Sequence, residues 1–484
     1  MYVLENLEPK KIFNFFEELT RIPRGSGNEK EVSDYLVNFG KERNLEVIQD
    51  KAYNVIIKKP GTAGYENSPA VILQGHMDVV CEKNQDTVHD FEKDPVKLVI
   101  DGDFIKGTGT TLGADNGVAL ALAMGILDSS DLSHPPIEAL FTVDEEVGMG
   151  GAMALDPAHF KAKRIINLDV GPEGSFCVGC AGGIRHKFGV PVEWVETPAG
   201  LEAYNLKIRG LKGGHSGGLI HLELGNSNKL LGRALDMIAG NCSLIIAHVS
   251  GGSKDNAIPR EADALIAVKS GEVDKLNEIV KELDSTFKKE LRASDPDVVL
   301  SLEKAAMPAK VFSDKTTDTL IKAYMLLPCG LIHKSMEIEG LTETSTNLGV
   351  VVTNENEVML TNATRSSVVT RRTQIRRQIA MLAEVLGVNY AETNEYPAWE
   401  YNPTSHLRDV AAATYEELTG KKAEIKATHG GLECGVFCEK MPGVDVIATG
   451  PTAFGAHTPE EKLSISSLAR TWEFVKKLLE NLKD

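Results

Sequence analysis

Apolar residues recur along the first forty positions at the three- and four-residue spacing that is typical of amphipathic helices. This pattern predicts one helix over residues 9–22 and a second in which positions 32, 35, 36 and 39 share one face. Ser26 stands three residues before Glu29, and this spacing predicts a capping box at the start of the second helix.

Short runs of β-branched and other apolar residues follow the two helices and predict strands. Three of these runs lie at residues 71–73, 140–143 and 165–168, and helical stretches such as residues 117–127 separate them. Near the end of the chain, residues 444–449 predict another strand between helices at residues 409–418 and 466–482. The alternation of strands and helices predicts an α/β layer with a mixed, mostly parallel sheet.

The length of 484 residues exceeds what one core supports, because single cores stop growing at roughly 250 to 300 residues. After residue 182 the pattern changes to strands and amphipathic helices without a cluster of metal-binding side chains. We therefore predict a first domain of residues 1–182 and 395–484, and an inserted α+β domain of residues 183–394. The fold class is predicted to be α/β.

Composition and charge narrow the choice of partner and compartment. The 52 Lys and Arg residues against 69 Asp and Glu residues give a net charge of -17, which repels phosphate backbones and anionic lipid headgroups. No apolar run approaches the ~20 residues of a membrane span, and charged residues interrupt the start of the chain. Seven cysteines, an odd number, argue against a disulfide framework and for a reducing compartment. We therefore predict a cytoplasmic protein that binds neither nucleic acid nor membranes.

Side chains that bind metals follow each of the three predicted strands. His76 and Asp78 follow the first, Glu145 and Glu146 follow the second, and Asp169 follows the third. In open α/β sheets, ligands bind beyond the carboxyl ends of the strands, so we expect these three groups to meet in one crevice.

Two further candidates lie elsewhere in the sequence. Asp115 stands at the start of a predicted helix, and His457 stands between the last predicted strand and the last helix. Five carboxylates packed together with two imidazoles would raise each other's pKa and resist ionisation. A pair of metal ions resolves this conflict, because zinc accepts nitrogen and oxygen ligands and two metals about 3.5 to 4 Å apart form the clamp of aminopeptidases.

Each of these motifs also has a structural interpretation when it is taken alone. A single His-x-Asp occurs by chance in many proteins, and three adjacent acidic residues usually form a solvated turn. The glycines of residues 107–113 depart from the G-x-G-x-x-G spacing of a dinucleotide loop and lead into an acidic residue that repels a pyrophosphate. The metal interpretation therefore depends on the set and not on any one member.

Seven segments carry a resemblance to a known family, and they occur in the family's order along nearly the whole chain. They are QGHMDVV at residues 74–80, TLGADNG at 111–117, residues 141–148, NLD at 167–169, GGHSGG at 213–218, NAIPR at 256–260 and GAHTPE at 455–460. The sequence resembles the zinc aminoacylase and dipeptidase superfamily, and most closely its aminoacyl-histidine dipeptidase branch. The resemblance implies a zinc-peptidase-like catalytic domain, with the inserted domain as a lid.

The resemblance implies two zinc ions, for which Co²⁺ or Mn²⁺ can substitute with the same ligands. His76 and Asp169 would hold one ion, Glu146 and His457 would hold the other, and Asp115 would bridge them.

It also implies the catalytic residues. Glu145 would be the general base for the hydroxide between the metals, and Asp78 would accept the second ring N–H of His76. His215, on the lid, would stabilise the oxyanion of the tetrahedral intermediate.

Three further positions match substrate-binding residues. Asn256 and Arg365 would bind the carboxylate of the substrate, and Glu433 would bind its ammonium group. The function predicted from this set is hydrolysis of dipeptides of broad sequence, including Xaa-His.

The alternative is an N-acyl amino acid deacylase with the same metal site, since the two activities differ only in what occupies the acyl pocket. A metal-dependent binding protein without catalysis ranks lower because the general base, Glu145, is present. An oxidoreductase that binds a dinucleotide ranks lowest. The partner is predicted to be a small peptide, and both a monomer and a homodimer remain open.

Overall fold

The computed structural model describes residues 2–483 and divides the chain into two compact units. The first unit comprises the described residues up to Cys180, the segment Trp399–Ala427 and the described residues from Leu432 onward. The second unit comprises Ala181–Ala398 together with the short segment Thr428–Gly431.

The strands within the described residues are numbered in chain order. They are β1 Glu46–Gln49, β2 Val55–Lys59, β3 Val71–His76, β4 Leu98–Asp101, β5 Phe104–Gly107, β6 Ile137–Thr142, β7 Arg164–Asn167, β8 Ser175–Cys180, β9 Gly182–Pro191, β10 Trp194–Glu196, β11 Leu201–Arg209, β12 Gly214–His215, β13 Ile245–Gly251, β14 Ala257–Ile258, β15 Ala262–Lys269, β16 Val299–Lys304, β17 Lys310–Phe312, β18 Gly330–Lys334, β19 Thr342–Thr353, β20 Glu357–Ser366, β21 Asn389–Tyr396, β22 Glu424–Thr428, β23 Asp445–Ala448, β24 Ala453–Phe454 and β25 Lys462–Ser464.

The α-helices are numbered in the same way, and three short 3₁₀ turns accompany them at Pro157–His159, Ile220–Leu222 and Ser270–Glu272. They are α1 Lys10–Thr20, α2 Lys30–Glu42, α3 Ala114–Asp128, α4 Gly150–Ala154, α5 Ser227–Ala239, α6 Val273–Glu290, α7 Asp314–Leu326, α8 Val369–Leu386, α9 His406–Thr419, α10 Glu433–Lys440 and α11 Ile465–Asn481.

The first unit is built on a mixed sheet with the order β1-β2-β6-β3-β7-β23-β8-β22. Its four central strands, β6, β3, β7 and β23, run parallel, whereas β1, β2 and β8 pair antiparallel to their neighbours. β3, β6 and β7 are buried along their whole length, as expected of central parallel strands with a continuous apolar sequence. The predicted α/β class with a mixed sheet is therefore confirmed, but parallel pairing is limited to the four central strands, so the sheet is not mostly parallel.

Helix α3 packs against β3 and α1 and carries the candidate metal ligand Asp115 in its first turn. Its residues are apolar on every side, and a helix of this kind is stable only where it is covered all round. Accordingly, 13 of its residues are buried, from Ala114 to Leu127 with Asp115 as the exception.

The second unit contains an antiparallel sheet with the order β16-β11-β15-β13-β19-β20-β9-β21, in which β18 pairs with β19. Side chains of this sheet form one core with helices α5 to α8, and fully buried members include Phe188, Leu231, Phe287 and Tyr324. Strands β9, β19 and β20 lie side by side, so residues far apart in sequence, such as Ser345 and Arg365, become neighbours.

The predicted capping box of the second helix is wrong. α2 begins at Lys30, and no side chain caps its first turn. Ser26 Oγ donates instead to Asp78 Oδ2 at 2.9 Å, and Glu29 Oε1 accepts the backbone N–H of Asp144 at 3.1 Å. Both side chains form hydrogen bonds to loops that follow central strands. A buried polar group without a partner costs more free energy than the end of a helix that water can reach.

Two other sequence expectations concern cysteines and membranes. All seven cysteines have free thiols, as expected for a chain whose cysteine count argues against a disulfide framework. Among residues 2–483, no helix combines the length and the apolar character that a membrane span requires.

Candidate metal centre and active site

The carboxyl ends of three neighbouring strands lie at one edge of the first unit's sheet. β6, β3 and β7 run parallel in this order. His76 ends β3, the turn with Glu145 and Glu146 follows β6, and Asp169 follows β7. Parallel pairing places these side chains at the same edge, and Asp115 joins them from the first turn of α3.

His76 contacts two carboxylates with one ring nitrogen. Its Nε2 lies 3.1 Å from Asp115 Oδ1 and 3.4 Å from Asp169 Oδ1. Burial lowers the pKa of His76, but the carboxylates of Asp169, Asp115 and Asp78 outweigh this effect, so the pKa lies well above its usual value. The surroundings of this imidazole therefore favour positive charge.

His457 repeats this arrangement on the other oxygen of Asp115. Its Nε2 lies 3.3 Å from Asp115 Oδ2 and 3.0 Å from Glu146 Oε1. Hydrogen bonds to Asp115 and Glu146 raise the pKa of His457 to about 10. The two oxygens of Asp115 thus face two different imidazoles, and each imidazole also faces a second carboxylate.

Burial acts in the same direction on Asp169 and Asp115, but their pKa values diverge. Burial raises the pKa of Asp169 to about 7, and its Oδ1 has no hydrogen-bond partner. Burial also raises the pKa of Asp115, but hydrogen bonds from His457 and His76 outweigh it and hold that pKa well below its usual range. The centre therefore concentrates negative charge that only adjacent positive charge can stabilise.

The donor atoms of this cluster form a possible metal site. One ligand atom from each of His76, Asp115 and Glu146 lies within 4.8 Å of the other two. Imidazole nitrogen and carboxylate oxygen are ligands that zinc accepts. A bound cation would supply the positive charge that these carboxylates favour.

Glu145 and Glu146 lie in a turn after β6 and not on the strand end. The residue before them, Asp144, has a left-handed φ of 54°, and the chain changes direction there. As a result Glu146 reaches His457, while Glu145 does not take part in an ion pair of this centre. Burial raises the pKa of Glu145 to about 9, and the nearby imidazole of His76 opposes this shift.

Asp78 is completely buried and holds the turn that carries the two glutamates. Its Oδ1 accepts the backbone N–H of Glu145 at 3.0 Å, and its Oδ2 accepts that of Glu146 at 3.1 Å. His76 Nδ1 lies 3.0 Å from the main-chain oxygen of Asp78 and 3.4 Å from its Oδ1. The main-chain oxygen is therefore the nearer acceptor for the ring, and the carboxylate chiefly orients the turn.

Glu433, the first residue of α10, belongs to a polar network next to β3. Its Oε2 accepts hydrogen bonds from Gln74 Nε2 at 2.6 Å and from Thr142 Oγ1 at 2.8 Å. Gln74 is held in turn by Asn167, whose Nδ2 donates to Gln74 Oε1 at 2.5 Å. Glu433 is 1% exposed, its Oε1 has no partner, and burial raises its pKa to about 7.

The structure places the other three predicted residues, His215, Asn256 and Arg365, in the second unit. His215 is exposed on β12, which pairs with β14 directly after Asn256. Its Nδ1 accepts the backbone N–H groups of Gly217 at 3.3 Å and Gly218 at 3.0 Å. Since Nδ1 is an acceptor, the ring proton is assigned to Nε2, which leaves that nitrogen as a free donor.

Arg365 is the centre of a group of unsatisfied donors in the same unit. Its Nη1 donates to Tyr396 Oη at 2.8 Å, but its Nε is buried without a partner. Arg185 Nη1 is also buried without a partner. Burial, followed by the positive charge of Arg365, lowers the pKa of both His215 and His429. Donors and positive charge in this number suit an anion.

Three residues that contact the loops of the centre belong to no motif that indicates this role: Arg24, Ser26 and Glu461. The spacing of Ser26 predicts a helix cap, and no periodicity distinguishes Arg24 in a segment between two helices. Glu461 is the second of two glutamates that follow His457, and this acidic pair was its only signal.

A family model described as peptidase family M20/M25/M40 matches residues 72–481 of the chain. The chain is 38% identical over 482 residues to the cytosol non-specific dipeptidase of Escherichia coli (strain K12), an alignment that covers 100% of this chain and 99% of the relative.

Among solved structures, the aminoacylhistidine dipeptidase of Vibrio alginolyticus matches with a TM-score of 0.93 and 38% identity, over 99% of this chain and 97% of that one. The di-peptidase Dug1p of Saccharomyces cerevisiae matches with a TM-score of 0.52 and 13% identity, over 99% and 97% of the two chains. The second likeness concerns the fold alone.

Proposed function

This chain belongs to peptidase family M20/M25/M40 and is a metallopeptidase, and on this premise we propose that it hydrolyses dipeptides of broad sequence, including Xaa-His, with two zinc ions. The observation that carries the proposal is the position of Asp115, whose Oδ1 faces His76 and whose Oδ2 faces His457. The names of the two relatives that are 38% identical along almost the whole chain support a dipeptide as the substrate.

The proposed ligands are His76 and Asp169 for one ion, Glu146 and His457 for the other, and Asp115 for both. Cobalt or manganese ions suit the same ligands. When bound, such ions polarise a scissile carbonyl and lower the pKa of water. Imidazole would coordinate such ions in its neutral form, so His76 and His457 would hold them through a ring nitrogen without a proton.

Glu145 is the proposed general base. It lies in the turn that Asp78 holds and is not a member of either ligand pair. The positive charge of bound ions would favour its ionised form, in which it can accept a proton. It would take a proton from the attacking water and return that proton to the nitrogen of the leaving amine. The C–N bond breaks in this second step, and the products are two amino acids.

The second unit supplies the proposed groups for the oxyanion and for the carboxylate of the substrate. His215 offers a free Nε2–H, and losing one such donor typically costs about 10² to 10³ in rate. The buried, unpartnered Nε of Arg365 supports its assignment to the carboxylate, and Asn256 is assigned with it.

Glu433 is proposed to bind the ammonium group of the substrate, and the support is its one free oxygen, Oε1. A cytoplasmic location is proposed as well, since the Escherichia coli relative is named a cytosol dipeptidase. The second candidate function, removal of the acyl group from N-acyl amino acids, would use the same metal ligands but would need no partner for an ammonium group.

A substrate panel distinguishes these functions. Protein stripped of metal by a chelator is expected to cleave no substrate, and added zinc is expected to restore cleavage of Ala-His, Leu-Gly and Gly-Leu but not of N-acetyl-leucine or a tetrapeptide. The measurement is release of free amino acids by chromatography. Turnover of N-acetyl-leucine without turnover of any dipeptide would assign the chain to the deacylases, and equal turnover of the tetrapeptide would contradict the dipeptide preference.

A further inference from the structure

Glu461 is a buried carboxylate that lies four residues after His457. It is 2% exposed, and burial raises its pKa although backbone N–H groups oppose the shift. Its Oε2 accepts the N–H groups of Leu112 at 2.7 Å and Gly113 at 3.0 Å. Its Oε1 accepts those of Ala114 at 2.9 Å and Asp115 at 3.2 Å. Four consecutive N–H groups at the start of α3 therefore depend on one side chain from the far end of the chain.

Arg24 holds the same loop from its carbonyl side. It is 3% exposed, and its Nη2 donates to the main-chain oxygen of Gly113 at 2.7 Å, while its Nη1 donates to that of Met77 at 2.6 Å. Met77 lies between His76 and Asp78 in the loop after β3. Burial lowers the pKa of Arg24 to about 10, and the nearby carboxylate of Glu461 is the largest influence in the opposite direction. Arg24 therefore stays charged in neutral solution.

Gly113 is the point at which the two side chains meet. Its N–H donates to Glu461, its carbonyl accepts from Arg24, and its φ of 75° is left-handed. A Cβ at this position would lie 3.0 Å from Arg24 Nη2, so glycine is required both for the backbone conformation and for the close approach of the guanidinium.

The segment between His457 and Glu461 is short and internally bonded. The N–H of Glu461 donates to the oxygen of Thr458 at 3.1 Å, and the N–H of Thr458 donates to the oxygen of Gly455 at 3.2 Å. His457 has a left-handed φ of 65°, a strained value for a residue with a side chain. Anchoring Glu461 on α3 therefore also restrains His457.

We propose that Glu461 and Arg24 are positioning residues that clamp the Asp115 loop between the loops of His76 and His457, so that the candidate ligands are in place before metal binds. The inference rests on the proposed function, because it takes these three residues as metal ligands. Orienting groups behind the ligands of a metal site typically change metal affinity by about 10- to 100-fold.

The test is zinc binding to metal-stripped Glu461→Gln, measured by calorimetric titration beside its thermal unfolding midpoint. We expect a zinc affinity about 10- to 100-fold weaker than that of wild type, with activity partly recovered at high zinc concentration. Glu460→Gln is the matched control, because Glu460 is the exposed neighbour with the same charge, and it is expected to bind zinc as wild type does.

Glu461→Asp and Arg24→Lys keep the charges and cover the case in which Glu461→Gln does not fold. Aspartate is shorter than glutamate, and lysine cannot donate from two nitrogens as Arg24 does. We expect each variant to weaken zinc binding by about 10-fold. Folded variants that bind zinc as tightly as wild type, even with a lowered unfolding midpoint, would reduce the clamp to a purely structural role and overturn the proposal. Failure of wild type itself to bind zinc would instead overturn the proposed function.

An apolar cavity of about 380 Å³ adjoins the centre and carries a second, independent inference. Its lining includes Asp115 and Asp169 themselves. From there its walls follow the chain: Val170 and Pro172 come after Asp169, and Val118 comes after Asp115.

The segment before His457 completes the wall with Ala453, Phe454 and Ala456. Apart from the two candidate ligands, no residue that lines the cavity is charged. The cavity exceeds the volume of one leucine or phenylalanine side chain, and apolar walls favour such an occupant.

From this geometry we infer that the cavity holds an apolar side chain of the substrate residue that supplies the scissile carbonyl. The inference rests on the proposed function. A carbonyl attacked at the centre lies beside Asp115 and Asp169, and the side chain nearest to it branches from the adjoining Cα. The cavity would therefore select the first residue of a dipeptide and not the second.

The test is Ala453→Leu, which enlarges an exposed residue on the cavity wall. We expect kcat/KM for Leu-Gly and Phe-Gly to fall by about 10-fold or more, with kcat/KM for Gly-Leu nearly unchanged. Ala158→Leu is the matched control, since Ala158 is exposed and does not line the cavity. A selective loss of Gly-Leu would assign the cavity to the second residue, and an equal loss for all dipeptides would remove its role in specificity. If no dipeptide is cleaved by wild type, the proposed function fails first.

Discussion

Replacing Glu145 by glutamine is expected to lower kcat by about 10²- to 10⁴-fold, while the protein keeps its full complement of zinc. Glutamine preserves the shape of the side chain but cannot accept and return a proton. Its backbone N–H still donates to Asp78, so the turn after β6 should remain in place. The measurements are steady-state hydrolysis of a dipeptide and zinc content by elemental analysis.

Glu82→Gln is the matched control for this variant, because Glu82 is an exposed glutamate of the same unit and should show wild-type rates. Two outcomes would contradict the assignment. Wild-type activity in Glu145→Gln would show that another group moves the proton. Loss of zinc together with activity would show that Glu145 is a ligand and not a base.

Asp115→Ala is expected to weaken zinc binding by more than about 100-fold and to abolish hydrolysis at limiting zinc. The reason is that its two oxygens face both imidazoles, so one substitution removes a ligand from both ions. An orienting group behind a ligand already costs about 10- to 100-fold, and a shared ligand should cost more. Calorimetric titration of metal-stripped protein measures the affinity and the number of ions bound.

Glu146→Gln provides a comparison within the site, since Glu146 pairs with His457 and its loss is expected to affect one ion of the two. Asp86→Asn changes an exposed aspartate and should leave both ions bound. The shared role of Asp115 would be refuted if Asp115→Ala still bound two zinc ions with wild-type affinity, or if it lost only the same single ion as Glu146→Gln.

The candidate ligands are held in position by other side chains of the first unit before metal binds. His76 and His457 each lie between two carboxylates of the candidate ligand set. The carboxylates of Asp78 and Glu461 hold backbone N–H groups of the loops that carry Glu146 and Asp115. Metal binding should therefore require little movement of the chain.

Local pattern was sufficient for the elements that surround this centre. Short apolar, β-branched runs predict strands β3, β6 and β7, and the helical stretch between two of them predicts α3. The polar side chains at the ends of these strands can be recognised in the sequence because they directly follow apolar runs. A topological rule for parallel sheets then grouped His76, Glu145, Glu146 and Asp169.

Local sequence pattern did not predict hydrogen bonds between side chains and distant parts of the chain. Ser26 and Glu29 have the spacing of a capping box, but their hydrogen bonds go to Asp78 and Asp144. The carboxylate of Asp78 lies 3.4 Å from His76 Nδ1 and also accepts the backbone N–H of Glu145, a second contact that no spacing in the sequence indicates. Each of these side chains could form hydrogen bonds with several groups. The tertiary structure buries the loops next to the centre, and the side chains bind the backbone and side-chain groups of these loops.

The chain's periodicity and its polar interruptions therefore specify the class of fold and the types of ligand, because both arise from the burial of neighbouring residues. The partners of Arg24 and Glu461, and the pairing of each Asp115 oxygen with a different imidazole, involve residues separated by 39 to 349 positions. Such contacts depend on the three-dimensional register of loops that share no sequence pattern. Only the tertiary structure brings their unsatisfied backbone groups and charges within hydrogen-bonding distance.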